Sequence, residues 1–295
     1  MEHQTINLFL DMFKRLIYTT CFLMFAQVAL SQLPEEPVEY TKKTFYSSRI
    51  VNSHTTENID KTVLDFRINH RFGIVSGGYE TFFGLDNATM RMSFDYGITD
   101  DLNVGIGRST YEKNLDAFAK YRFLRQIEKN GNMPISAAYV IGVSMSGLKP
   151  PPGRENFFSS KLSYSHQLIV ARKFSKTFSA QLMPILVHKN LIDSSQYQHD
   201  IIGIGIGLKQ KILPSITLNL EYFYLPPDQI SNEYKHPLSL GIDINTGWHT
   251  FQLHLTNATG TFEKAYLTQT TNRWSKGDIH FGFNISRHFH PSGFH

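Results

Sequence analysis

The residues with most chemistry to offer are eight ionisable side chains: Asp65, Arg67, Arg91, Asp95, Lys120, Arg122, Glu221 and Asp243. Each sits in a stretch where polar and apolar residues alternate, so each belongs to the polar face of an extended segment. Charges placed this way can line a wet interior and brace one another across it. Nucleophilic catalysis finds less support: Ser165 and His166 are adjacent and point to opposite faces, while Ser286 and His288 share a face with no evident acid partner. His288, His290 and His295 come without the carboxylate or cysteine a zinc site would add. The run Gly203-Ile-Gly205-Ile-Gly207 lacks the helix start and acidic partner of a dinucleotide loop. The expectation is therefore no catalytic residue, no metal and no cofactor. Gly105, Gly107, Gly203, Gly205 and Gly207 are read as inward wall positions that give curvature or make room for large side chains opposite.

The elements that must position these charges are clearest between Met90 and Arg125. Met92, Phe94, Tyr96 and Ile98 alternate with Arg91, Ser93 and Asp95; Leu102, Val104 and Ile106 alternate with Asn103, Gly105 and Gly107; Ala117, Ala119, Tyr121 and Phe123 alternate with Asp116, Lys120 and Arg122. Three antiparallel strands follow, with Phe94 and Ile106 on the apolar side. Arg, Asp and Lys at mid-strand suit a barrel with a polar interior better than a soluble sandwich. Further candidates are Val63 to Phe72, Ile135 to Met145, Leu162 to Phe174, Phe178 to His188, Ile201 to Ile212, Ile216 to Leu225, Leu238 to Asn245, Trp248 to Thr256 and Ile279 to Phe289. The pattern predicts an all-β fold, a closed antiparallel up-and-down transmembrane β-barrel of about 12 strands.

Connections alternate in length. Short ones fall at 98 to 101, 125 to 132, 175 to 177, 213 to 215 and 245 to 247; longer ones fall at 73 to 88, 147 to 157, 190 to 198, 226 to 235 and 257 to 277. Outer-membrane barrels have short periplasmic turns and longer outer loops, so both termini are expected in the periplasm. Tyr111 to Asn114 alone breaks the alternation. Tyr121, Phe123, Tyr222, Tyr224, Trp248 and Phe289, near strand ends on the apolar face, are expected to form the interfacial girdle.

Lys14 and Arg15 precede the apolar run Leu16 to Leu30, and Ala29-Leu30-Ser31 supplies small residues for cleavage before Gln32. Residues 1 to 31 therefore read as a secretory signal peptide, with Met12 a better start than Met1. The single cysteine, Cys21, lies in that segment, without the setting a lipid anchor needs. Residues 32 to 61 read as a periplasmic lead-in, or as a partial plug folded into the barrel; residues 62 to 290 as the barrel; and 291 to 295 as a tail. The chain's 295 residues carry 29 basic and 25 acidic groups with no basic block, which argues against nucleic acid as a partner.

The segments SSRIVNSHTTE, VLDFRINHRFG, MRMSFDYGITDDLNVGIGRS and KYRFL resemble a Bacteroidota family of outer-membrane β-barrel proteins of unknown function. The resemblance implies location in the cell outer membrane, with membrane lipid as a partner, and brings no catalytic residues. Two function classes follow: a narrow channel for small solutes, or a non-transporting barrel acting as scaffold or docking partner for periplasmic or surface components. Solute and protein partner are unspecified by the sequence.

Register gives one finer expectation. If the 98 to 101 turn pairs residues summing to 200 and the 111 to 114 turn pairs residues summing to about 225, Gly105 separates Asp95 from Lys120. An Asp95 to Lys120 ion pair over Gly105 is expected, with Arg67 and Arg91 reaching Asp95, Asp65 balancing them, Arg122 over Asn103, and Glu221 and Asp243 supplying acid on the far wall.

Overall fold

The computed structural model describes residues 37–149, 157–192, 198–246 and 249–290. The signal-peptide segment, Trp248 and the tail with His295 lie outside the described residues. From Tyr40 onward the chain forms one unit built on twelve strands.

These are β1 (Leu64–Ile74), β2 (Ala88–Gly97), β3 (Leu102–Ser109), β4 (Leu115–Leu124), β5 (Ser136–Met145), β6 (Leu162–Lys173), β7 (Phe178–Lys189), β8 (Asp200–Leu213), β9 (Ile216–Tyr224), β10 (Leu238–Asn245), β11 (His249–Thr256) and β12 (His280–Phe289). Each pairs antiparallel with its sequence neighbours, and β12 returns to β1, closing the barrel. Closure leaves no unpaired edge, the condition for a sheet to cross a bilayer. No described helix is long and apolar enough to cross a membrane.

Alternation decides which face goes where. Phe94 and Ile106 are each 51% exposed while Asp95, between apolar neighbours, is 1% exposed, an inversion of the soluble pattern. The apolar residues form the outer wall and the charged ones face inward. Of the aromatics expected at strand ends, Tyr121, Phe123 and Tyr224 are exposed on that outer wall.

Register agrees with expectation at one hairpin and departs at the next. Asp95 lies across from Gly105, the sum of 200. Between β3 and β4 the sum is 223: Gly107 faces Asp116, Gly105 faces Phe118 and Asn103 faces Lys120. The turn closes one residue earlier than Tyr111 to Asn114, on Thr110 to Lys113, with the Ser109 N–H bonded to the Asn114 carbonyl at 2.9 Å. Glu112 and Lys113 take positive φ of 53° and 48° there. Nothing in Glu-Lys announces a left-handed turn of the kind Asn-Gly signals, which is why the register was set two residues off.

The barrel interior is filled. Residues 44 to 59 lie inside it, with Phe45, Ile50, Val51 and Ile59 buried. The connection from β11 to β12 contributes Ala258, Phe262 and the short helix α1 (Glu263–Thr268), whose Ala265, Tyr266 and Leu267 are also buried. Phe45, Ile50, Val51, Ala258, Tyr266 and Leu267 join one cluster with wall residues Val140, Ile169, Met183, Ile185 and Phe223. Each large apolar side chain so placed contributes about 1.5–3 kcal/mol.

Candidate functional site in the barrel interior

The interior wall has two sectors. Strands β1 to β4 present charge. Arg91 places its Nε 3.0 Å from Asp116 Oδ1, both residues buried. Its guanidinium lies where a Cβ on Gly107 would be. A charge pair over an inward glycine therefore exists, but at Gly107, joining Arg91 to Asp116. Gly105 instead makes room for the Phe118 ring and the Asp95 carboxylate.

The expected Asp95 to Lys120 pair is corrected by the same register. Lys120 sits across from Asn103, and its Nζ donates to the carbonyl oxygens of Thr55, at 3.3 Å, and Glu57. Asp95 Oδ1 is buried without a hydrogen-bond partner among the described residues. Arg67 and Arg91 do not hydrogen-bond to Asp95. Arg67 donates to Asp65 Oδ2 at 3.2 Å and to the hydroxyls of Ser47 and Ser48 at 3.1 and 3.0 Å. Arg122 is not over Asn103; it bonds Asp101 Oδ1 at 2.9 Å near the short-turn end. Asp65 also accepts from Ser286 Oγ at 2.5 Å and lies 3.8 Å from His288 Nε2, so an acid partner exists where none was evident in sequence. The serine hydroxyl is bonded to that carboxylate and not to the imidazole.

Strands β5 to β9 present an apolar patch of Val140, Ile169, Met183, Ile185, Val187 and Phe223 beside buried Gln167, Gln181 and Asn219. A Cβ on Gly205 would meet the Phe223 ring and Met183, one on Gly203 would meet Leu225, and one on Gly207 would meet Ile50 of the inserted segment. These glycines make space for the large side chains packed against them. The signal was in the sequence: Ala137 to Val143 and Leu182 to Val187 are apolar on both faces, the mark of a strand buried on both sides.

Glu221 joins the two halves. Residues 50 to 53 make a turn closed by the Ile50 N–H on the Ser53 carbonyl at 2.9 Å, flanked by an Arg49 to His54 bridge. The turn aims three backbone N–H groups at the Glu221 carboxylate: Val51 at 3.3 Å, Asn52 at 3.0 Å and Ser53 at 3.1 Å. Ser53 Oγ adds a fourth donor at 2.9 Å and the Asn52 side-chain amide a fifth. A buried carboxylate costs several kcal/mol unless donors replace its water, and here the inserted turn supplies them. Asp243 accepts from Gln252, whose amide also donates to the Ile50 carbonyl.

Arg71 ties that turn to the inward-folded connection. Its guanidinium donates to the Ala258 carbonyl at 2.7 Å, to the Gly260 carbonyl and to Asn52 Oδ1. Arg49 Nη1 reaches Glu263 of α1 at 3.4 Å, and His54 Nε2 lies 3.4 Å from the same carboxylate. Burial holds the His54 imidazole well below its ordinary value, reinforced by Arg49, Lys120, Arg91 and Arg67; these outweigh Glu263. Sequence reading left Asp116, Arg71, Glu263 and the 49 to 54 turn outside the network. Asp116 and Arg71 carry the right parity to be found; Glu263 lies in a long connection and gives no such signal.

The family profile described as membrane bound beta barrel domain (DUF5777) matches residues 45–289. No curated protein matches the chain. Among solved structures, a KdgM porin is 10% identical with a TM-score of 0.48, covering 77% of this chain and 99% of its own. An outer membrane channel from Pseudomonas putida F1 is 11% identical with a TM-score of 0.44, covering 79% and 98%. The outer membrane phospholipase A of Escherichia coli is 8% identical with a TM-score of 0.41, covering 81% and 95%. No residue role passes from them to this chain.

Proposed function

This chain belongs to the family of membrane bound beta barrel domains, and from that premise we propose that it is a narrow, gated channel for small solutes in the outer membrane. Single-chain barrels with an even strand number, short turns at one end and long connections at the other cross that membrane with the short turns in the periplasm. Residues 44 to 59 then enter from the periplasmic side as a partial plug, and 257 to 270 fold in from outside.

The observation that carries the gated reading is the Glu221 carboxylate filled by N–H groups of Val51, Asn52 and Ser53. A barrel needing only a solid core could use apolar residues there at no desolvation cost. Polar docking makes this part of the contact reversible, since an undocked carboxylate and turn are both solvated by water, while Phe45, Ile50 and Val51 oppose release. The charges on β1 to β4 would line the path so uncovered.

Single-channel conductance in planar bilayers tests this. The full chain should conduct little, and a chain lacking residues 41 to 58 should conduct steadily while still migrating faster unheated than boiled. A deletion variant that keeps the heat shift and stays closed would sink the channel reading in favour of the scaffold or docking role.

A further inference from the structure

A cavity of about 310 Å³ opens at the long-connection end of the barrel, against the ends of β5, β6 and β7 and the helix α1. Among the described residues its charged lining is Lys149, Lys161, Lys189 and Lys264 against Glu112. That one acid is already engaged: Lys264 Nζ donates to one oxygen at 2.7 Å and Gln269 Nε2 to the other at 2.7 Å. Among the described residues, the lining thus sets four lysines against a single satisfied carboxylate. Leu148, Ile192, Ile201 and Ile230 supply an apolar wall within it. A concave site that sets cationic donors against an apolar surface recognises a compact molecule with an anionic end.

We propose that this cavity binds a small organic anion, a carboxylate on a compact body, through Lys149, Lys161 and Lys264. The proposal names the solute class for the channel reading and rests on that reading only for the passage that follows binding. Lys264 adjoins Glu263 on α1, and Glu263 holds Arg49 and faces His54 of the inserted segment. An anion that draws Lys264 from Glu112 therefore acts on the helix that touches the plug, linking outer-face recognition to the periplasmic segment.

Calorimetric titration of the full chain in detergent with glucuronate, glucose, glucosamine and inorganic phosphate tests it. Glucuronate and glucose share a ring and differ by the carboxylate, and glucosamine reverses the charge. Glucuronate should bind saturably, phosphate more weakly for want of an apolar body, and the other two not at all. Lys149→Met and Lys161→Met should each weaken glucuronate about tenfold, the worth of one charge-assisted contact, with the heat shift unchanged. Glu112→Gln, which releases Lys264, should tighten it. Equal binding of glucose and glucuronate, phosphate binding as tightly as glucuronate, or an unchanged affinity in the folded Lys149→Met, Lys161→Met double variant would overturn the proposal. Binding is read without transport, so a closed plug-deletion barrel would sink the channel and leave this site standing.

Discussion

The backbone N–H of Asn52 lies 3.0 Å from Glu221 Oε1, joining a turn of the inserted segment to a strand 169 residues away. That carboxylate takes two more backbone N–H groups, so its loss leaves buried donors without an acceptor. Glu221→Gln should weaken docking by about 1 to 3 kcal/mol, the range for an unsatisfied buried group, and raise the undocked population about 5- to 150-fold. A single reporter cysteine at Thr56, in a Cys21→Ser background, should then be labelled faster by a thiol reagent. Equal labelling rates in both backgrounds would mean that the apolar contacts of Phe45 and Ile50 hold the segment unaided.

Acid should release the segment, and the sign follows from His54. Docked, its imidazole is held well below 6.5 by burial and by Arg49, Lys120, Arg91 and Arg67. Undocked, it titrates near 6.5. Above that pH the imidazole is neutral in both states and contributes no pH dependence. Below it the undocked state takes up a proton that the docked state refuses, so docking weakens by up to about tenfold per pH unit until the depressed value is reached. Conductance should rise as pH falls from 7 to 5. His54→Asn should flatten that rise; a rise of equal steepness in the variant would assign it to another group.

How much of this was legible varies with the kind of signal. Period-two alternation located Phe94 outside and Asp95 inside because it is a local property, needing no knowledge of what the strand packs against. Pairing across β3 and β4 was missed by two residues, because Glu112 and Lys113 adopt a turn geometry their types do not favour, and every cross-strand partner moved with it. The expected Asp95 to Lys120 pair over Gly105 does not form; the charge pair over an inward glycine joins Arg91 and Asp116 at Gly107. The inserted turn was hardest. Asn52, Ser53 and His54 read as a polar linker, and only the carboxylate 169 residues away makes their backbone groups a binding element.

The outer wall gives a prediction independent of the interior. Phe94 and Ile106 are cross-strand partners, each half exposed on the lipid face. Phe94→Arg or Ile106→Arg should each destabilise the barrel in vesicles by about 2–4 kcal/mol if near the midplane, read from urea midpoints. The double variant should lose more than the sum, since two guanidinium groups would face each other across neighbouring strands. Wild-type midpoints would place this pair at the interface and shift the membrane boundary along β2 and β3.

Arg91 and Asp116 supply the last. Both are buried, and their bond crosses Gly107, so the pair can be broken from either end or from the middle. Removing one partner strands the other charge; Asp116→Asn or Arg91→Met alone should cost about 3–5 kcal/mol. The Arg91→Met, Asp116→Leu double variant should recover most of that, because two apolar side chains of similar volume need no water replaced. Gly107→Ala tests the geometry separately: its Cβ would occupy the guanidinium's place, so the end of the Arg91 side chain would have to swing away from Asp116. It should cost as much as losing a partner in wild type and little once Arg91 is Met, and this non-additivity is the signature of a shared site. Strict additivity of Gly107→Ala with Arg91→Met would show that the glycine serves wall curvature and that the guanidinium finds another path to Asp116.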